Sequence, residues 1–354
     1  MRAGPSHLAT PDRVAWVDGA KGICIILVVM MHSTLGVGEA MGQEGFMHSV
    51  VAFAKPFRMP DFFLLSGLFL ARAIDRDWTT YADRRVVHFA YFYLLWLLIQ
   101  SALKYGSVSG GTPAGFVEHL AFSLVQPFGS LWFVYLLAVF SVATKLLRGV
   151  PPLVLFAGAA ALEIAPITTG SVVIDEFSLL YVYFVAGYLF APQIFAFAEW
   201  ARANARTAVL GIVLWAVVNG VATHVPSPFD AHPTIASLPI VRLGFGFAGA
   251  LAIAAAASLL MGTTVGRALR HCGAHSIAIY LAFFLPMAAA RTALIRSGVI
   301  EDAGVIALLV TVTAVVAPLV LAHLVRGTPA RFLFERPAWA RLAPRRGPAL
   351  QPAE

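Results

Sequence analysis

The chain predicts an all-α fold: a polytopic membrane protein with about ten transmembrane helices around a central cavity. Three observations carry this. Apolar residues fill 59% of its 354 positions and charged residues only 12%, where a soluble domain carries about 25% charged. Mean hydropathy is +0.80, and apolar runs of membrane length recur along the chain, divided by Gly and Pro. Several of these runs also hold ionisable residues. Such residues cost about 2.5–3.5 kcal/mol each in lipid even on insertion scales, so they face a protein interior or a wet cavity. In so apolar a chain the net charge of +7 reads as loop asymmetry, not as a nucleic-acid surface.

The first span is 15–37. Mostly polar residues precede it and no small-x-small site follows, so it is expected to stay as an anchor and not be cleaved. The stretch RVAWVDGAKGICIILVVMMHSTLGVG, Arg13 to Gly38, carries Asp18, Lys21 and His32. Eleven residues of α-helix turn roughly 20° past three full circuits, which puts Lys21 and His32 on one face about 16 Å apart. Asp18 joins that stripe one turn earlier, with Ile25 and Val28 in the gaps. Taken singly, Lys21 can snorkel to the interface. Asp18 can be a first-turn charge paired with Lys21, and His32 can be a packing residue. Together they read as the wall of a site.

The second span, 47–71, holds Lys55, Pro56, Arg58, Pro60, Asp61 and Ser66. Its prolines predict a kink or break, which is tolerated at membrane depth where backbone lines a cavity. Arg58 either snorkels outward or faces the cavity. Asp61 either pairs with Arg58 one turn away or hydrogen-bonds His32 and sets its tautomer. Further spans are expected at 86–105, 130–147, 151–168, 177–197, 207–223, 239–261, 273–295 and 304–325, with 114–127 as a candidate interfacial helix. Trp132 and Tyr135 suit packing or an interfacial aromatic belt. Arg242 opens the eighth span near the outer face. Gly244-x-Gly246-x-x-Gly249 lies inside an apolar helix with no strand before it, so helix packing explains it better than a dinucleotide loop. Cys24 and Cys272 are expected as free thiols.

Beyond Arg326 the chain becomes rich in Pro and Arg, and 326–354 is expected to be a basic tail along an anionic membrane surface. With ten spans both termini share a side. That side collects Arg2, Arg13, Arg72, Arg76, Arg84, Arg85, Lys145, Arg148, Arg202, Arg206, Arg267, Arg270 and the tail arginines. The positive-inside rule therefore places both termini in the cytoplasm. Lys21 is then near the inner interface and His32 beyond mid-bilayer, about level with Arg58 and Asp61.

Asp18-Gly19-Ala20-Lys21-Gly22 through His32, with a basic residue eleven positions before the His, resembles the opening of the membrane acyltransferase-3 superfamily. AKGICIILVVMMH is most like its fucose 4-O-acetylase-like branch. Met59-Pro60-Asp61-Phe62-Phe63-Leu64-Leu65-Ser66-Gly67 is similar to the family's MPLFFFLSG, with Asp61 where an apolar residue is usual. Ser130-Leu131-Trp132-Phe133 is similar to its SLWFL. The helix from Arg84-Arg85-Val86-Val87-His88 resembles a basic R-x-x-R-x-x-P-x-Y segment, with His88 for the second Arg, Tyr91 for the Pro and Tyr93 kept. HSIAIYLAFFLP, which contains Tyr280, is similar to an SxxIYLxH helix. Phe283 replaces its His there, so that residue's role does not transfer.

The resemblance implies one transmembrane acyltransferase-like domain over 1–325, in a bacterial inner membrane. It implies acyl-CoA, in particular acetyl-CoA, as co-substrate, with no bound cofactor or metal, and a hydroxyl of an extracytoplasmic carbohydrate or glycolipid as acceptor. His32 would be the general base, with Asp61 beside it. Lys21, Arg72, Arg84, Arg85 and His88 would hold the donor phosphates. Asp18, Arg58, Ser66, Trp132, Arg242 and Tyr280 would line the acceptor site or cavity. Two readings compete with this. One is a small-molecule transporter or lipid flippase using the Lys21–His32 face as a pathway, although no internal repeat is evident. The other is a non-catalytic membrane sensor.

Overall fold

The computed structural model describes residues 14–342. Arg2, Arg13, Arg345 and Arg346, which entered the orientation, lie outside that range. In chain order the main helices are α1 (Ala15–Met41), α2 (Phe46–Ala54), α3 (Arg58–Gly67), α4 (Trp78–Leu103), α5 (Pro113–Ser123), α6 (Trp132–Leu146), α7 (Pro152–Ile164), α8 (Val172–Leu189), α9 (Ala191–Ala203), α10 (Ala205–His224), α11 (Pro239–Leu259), α12 (Thr264–Ala274), α13 (Ser276–Ala282), α14 (Phe284–Ser297) and α15 (Ala303–Val325). Among the described residues no strand forms; Pro226 and Thr234 make one isolated bridge.

The protein is all-α and polytopic. Among the described residues seven helices are long and apolar enough to cross a membrane, or eight if the bent pair α13–α14 is one span. About ten were expected. The difference lies in 47–71, which is broken into α2 and α3, and in 151–168, where α7 is only 13 residues long. The expected span 177–197 is divided between α8 and α9. The chain separates into two compact units, one of residues through Leu65 plus Pro192–Leu319, the other of Ser66–Ala191 plus Val320 onward.

In the first unit α1 packs on α12 backbone to backbone. A Cβ on Gly22 would collide with the Leu269 carbonyl, and one on Gly273 with that of Asp18. Arg291 on α14 donates from Nη1 to the Gly36 carbonyl at 3.1 Å, one turn beyond His32. Gly42, at φ 66°, ends α1 in the left-handed conformation that glycine adopts most cheaply.

The α2–α3 break has a clear local cause. Pro56 has no N–H to continue the helix. Lys55 and Phe57 instead close tight turns onto Ala52 and Ala54 at 3.2 and 3.3 Å. The Phe53 carbonyl freed by this is taken by Asn219 Nδ2 of α10 at 2.8 Å. Phe57 then wedges the break open. Its Cβ occupies the space a side chain at Gly249 would need, and its ring meets Trp215 edge-on at 4.9 Å. Gly249 of the nominal dinucleotide pattern is therefore a packing residue. The rest of α10 turns Leu210, Val213, Leu214, Val217 and Val221 outward, as a lipid-facing helix does. The expected single span 273–295 is bent by 55° between α13 and α14. Pro286 explains this, since its ring clashes with the carbonyl four residues back, at Ala282.

In the second unit the stretch 71–85 is not the loop expected: helix resumes at Trp78, with Asp77 capping the Thr80 amide at 2.8 Å. Residues Asp83–Val87 form a π-helical turn inside α4. The α3 end packs on α8, where a Cβ on Gly67 would strike the Phe184 carbonyl. Lys145 of α6 is 2% exposed and donates to the carbonyls of Ile74 and Arg76 at 2.6 and 2.5 Å. Tyr81 reaches the Ser141 carbonyl at 2.7 Å. The described part of the tail folds back on α4, where Tyr91 and Trp96 donate to the carbonyls of Phe332 and Leu333 at 2.9 and 3.0 Å.

Candidate functional site

The face of α1 that carries Lys21 and His32 is a continuous helix surface, with no break between them. Ile25 and Val28 are buried in the gaps, whereas Asp18, Lys21 and His32 are half-buried. The His32 ring rests on Phe283 at 5.3 Å between centroids, tilted 35°. Neither of its nitrogens has a hydrogen-bond partner among the described residues. Phe283 stands at the α13–α14 bend, so Pro286 indirectly sets the ring that packs on the imidazole.

Arg58 opens α3 directly after the break and lies close enough for its charge to act on His32. Its Nε and Nη1 are buried and have no partner among the described residues. Asp61, one turn on, is 1% exposed, and neither carboxylate oxygen has a hydrogen-bond partner among the described residues. Its charge and that of Lys21 both act on Cys24, about two turns back from His32 along α1. The two expected contacts of Asp61 therefore do not form: it neither pairs with Arg58 nor hydrogen-bonds His32. The physical reason is that the two charges address different parts of α1, Arg58 the His32 turn and Asp61 the Cys24 turn. The hydroxyls of Ser33 and Thr34, beside His32, are also buried without partners among the described residues. Leaving such polar groups unused in an apolar interior is costly, roughly 1–3 kcal/mol for each neutral group.

The remaining expected residues divide between the units. Tyr280 is buried on α13, and Arg242 is half-buried in the first turn of α11, both in the first unit. The second unit holds Ser66, Arg72, Arg84, Arg85, His88 and Trp132. There Phe69 gathers two of the cations: Arg72 lies over its ring at 5.5 Å and Arg85 Nη2 donates to its carbonyl at 3.2 Å. Arg84 and Arg72 are exposed, and Arg85 is half-buried. His88 meets Phe92 edge-on at 5.1 Å and feels the charges of Arg336 and Arg85. Trp132 opens α6 after a 3₁₀ turn, its ring edge-on to Phe133 at 6.5 Å. Ser66 is half-buried at the end of α3.

Sequence reasoning noted Phe283 only as a replacement for the family's His and Arg336 only as a tail charge, and it missed Asn219. Pro286 was the available signal for the first. No local pattern marks the other two, whose partners are distant in the chain.

Comparison with known proteins bears on the whole of this arrangement. A family profile described as "Acyltransferase domain" matches residues 14–323. "Inner membrane protein YcfT" of Escherichia coli (strain K12) is 28% identical over 157 residues, 37% of this chain and 43% of that protein. The chain thus spans less than half the length of this relative. No solved structure matches. With the match extending from the residue before α1 into the last turns of α15, the chain belongs to the acyltransferase-3 family.

Proposed function

We propose that the protein is a membrane O-acyltransferase that moves an acyl group, acetyl in the simplest case, from cytoplasmic acyl-CoA to a hydroxyl of an extracytoplasmic carbohydrate or glycolipid. The observation that carries this is the pairing of an imidazole with no hydrogen-bond partner among the described residues, His32, and a neighbouring guanidinium with two unused buried donors, Arg58. Family membership supports acyl transfer. The inner-membrane name of the relative supports a bacterial inner membrane, and the distribution of basic residues supports cytoplasmic termini.

The chemistry needs a base for the hydroxyl proton and donors for the oxyanion. Neutral His32 takes the proton as the hydroxyl oxygen attacks the thioester carbonyl carbon. Arg58 faces the charge that develops on the carbonyl oxygen. When the tetrahedral intermediate collapses, the carbon–sulfur bond breaks and the CoA sulfur leaves, taking the proton from the imidazolium. Asp61 is assigned to this face as a buried carboxyl beside the Cys24 turn. On α1, the rise of about 16 Å between Lys21 and His32 suits an extended pantetheine arm with its phosphates at the Lys21 end, and within this unit Asp18, Arg242 and Tyr280 are assigned to the acceptor side. In the second unit Arg72, Arg84, Arg85 and His88 are read as contacts for donor phosphates, and Ser66 and Trp132 as lining residues.

The test is purified protein with labelled acetyl-CoA, following CoA release and label on the acceptor. His32→Ala is expected to slow turnover by about 10²–10⁴-fold. Unchanged turnover removes His32 from the mechanism, and label retained on the protein at His32 replaces direct transfer with an acyl-enzyme. Acyl-CoA-independent solute movement in proteoliposomes would favour the transporter.

A further inference from the structure

We infer that the C-terminal segment Pro329–Leu342 is a positioning clip for donor binding: Arg336 and Leu342 lock the π-helical turn that aims Arg84, Arg85 and His88. The inference rests on the reading of those three residues as contacts for the donor phosphates.

The observations lie within the second unit. Asp83 opens the π-turn Asp83–Val87, immediately before Arg84 and Arg85. Arg336 grips it twice, Nη1 to its carbonyl oxygen and Nη2 to Oδ2, both at 2.8 Å. The amide of Leu342 takes the other carboxylate oxygen, Oδ1, at 2.7 Å. The paired side chains are only 9% and 7% exposed, so this is not a solvated surface pair. Upstream, the bonds from Tyr91 and Trp96 to Phe332 and Leu333 and the Trp96–Phe334 ring contact at 5.7 Å hold the segment against α4. These contacts fix where Arg336 enters.

A π-turn holds one residue more than the α-helical turn it replaces, and such bulges cluster at functional sites. If it relaxed to regular α-helix, the residues before it would turn by roughly 100° relative to those after it. Arg84 and Arg85, which stand inside the turn, would then change direction relative to the helix that precedes them. A conformation less stable than plain α-helix persists only where its surroundings over-determine it. Here the surroundings are the clip, which engages both carboxylate oxygens of Asp83 as well as its carbonyl. An anchor for the chain end alone has no need to converge on the residue beside the two arginines.

The experiment uses the full chain in lipid nanodiscs, with CoA binding, acetyl-CoA kinetics and hydrogen exchange measured together. Arg336→Met is expected to raise the donor KM and the CoA Kd about tenfold, the scale of a lost supporting contact, while kcat stays unchanged. Deuterium uptake should rise in 83–88 and stay unchanged in α6. Arg336→Lys should recover part of the KM, and Arg331→Ala, which removes tail charge without touching Asp83, should change nothing. An unmoved KM and Kd in folded Arg336→Met overturns the inference and leaves the acyltransferase reading standing. So does a fall in kcat that merely tracks loss of folded protein. An unaltered protein that neither binds CoA nor turns over acetyl-CoA removes the donor reading, and the clip's role with it.

Discussion

Two cations that reach into the protein interior are held in opposite ways. In the second unit the ammonium of Lys145 donates to two carbonyls and lies over the rings of Trp78 and Tyr81 at 5.2 and 4.8 Å. It takes the Ile74 carbonyl at the end of the short helical turn Ala71–Ile74 and the Arg76 carbonyl just beyond it. In the first unit Nε and Nη1 of Arg58 are buried and without partners among the described residues, as are both oxygens of Asp61 one turn on. Removing a charge from water is expensive unless partners replace the water. Lys145 has such partners and needs no further explanation. Arg58 lacks them among the described residues, and that contrast is what the proposed role of the His32 face rests on.

The sharpest way to break the comparison is to exchange each cation for a neutral side chain of similar length. Arg58→Met is expected to lower kcat by about 10²–10³-fold, as for the loss of an oxyanion donor, with thermal stability held or raised. Retained activity with a lower melting temperature would make Arg58 structural after all. Lys145→Met should do the reverse, costing about 3 kcal/mol of stability through its two charge-assisted hydrogen bonds while the donor KM of the folded fraction stays unchanged. Asn219→Leu sharpens the case from the backbone side. Leaving the Phe53 carbonyl unpaired should cost about 1–3 kcal/mol and lower kcat several-fold as Arg58 shifts, both measurable on one preparation. The smallest effect is expected from Asp61→Leu, where losing the buried carboxyl slows turnover by only about twofold, or about 0.4 kcal/mol, without loss of stability. A large loss of stability there would show that Asp61 has a structural partner.

Much of the first unit could be read in advance. The Lys21–His32 stripe needs only helical periodicity, and the break before Arg58 needs only Pro56. The bend at Phe283 was equally readable from Pro286, yet the apolar run hid it, because hydropathy does not register direction. The second unit was less legible. Arg84 and Arg85 were expected to open a helix but stand in a π-turn inside one. The residue that clamps this turn, Arg336, is 253 positions away from Asp83, and in the sequence it was one tail arginine among several.

The sequence by itself determined the class of the protein, the anchor-like first helix and the face on which His32 stands, because hydrophobicity and helical pitch are properties of a residue and its near neighbours. Only the tertiary structure decided which charges acquire partners. The free energy of a buried ion depends on what surrounds it in space, and here those surroundings come from helices far apart in the chain: Asn219 and Phe283 around the Arg58–His32 pair, Ile74 and Arg76 around Lys145, and Arg336 around Asp83.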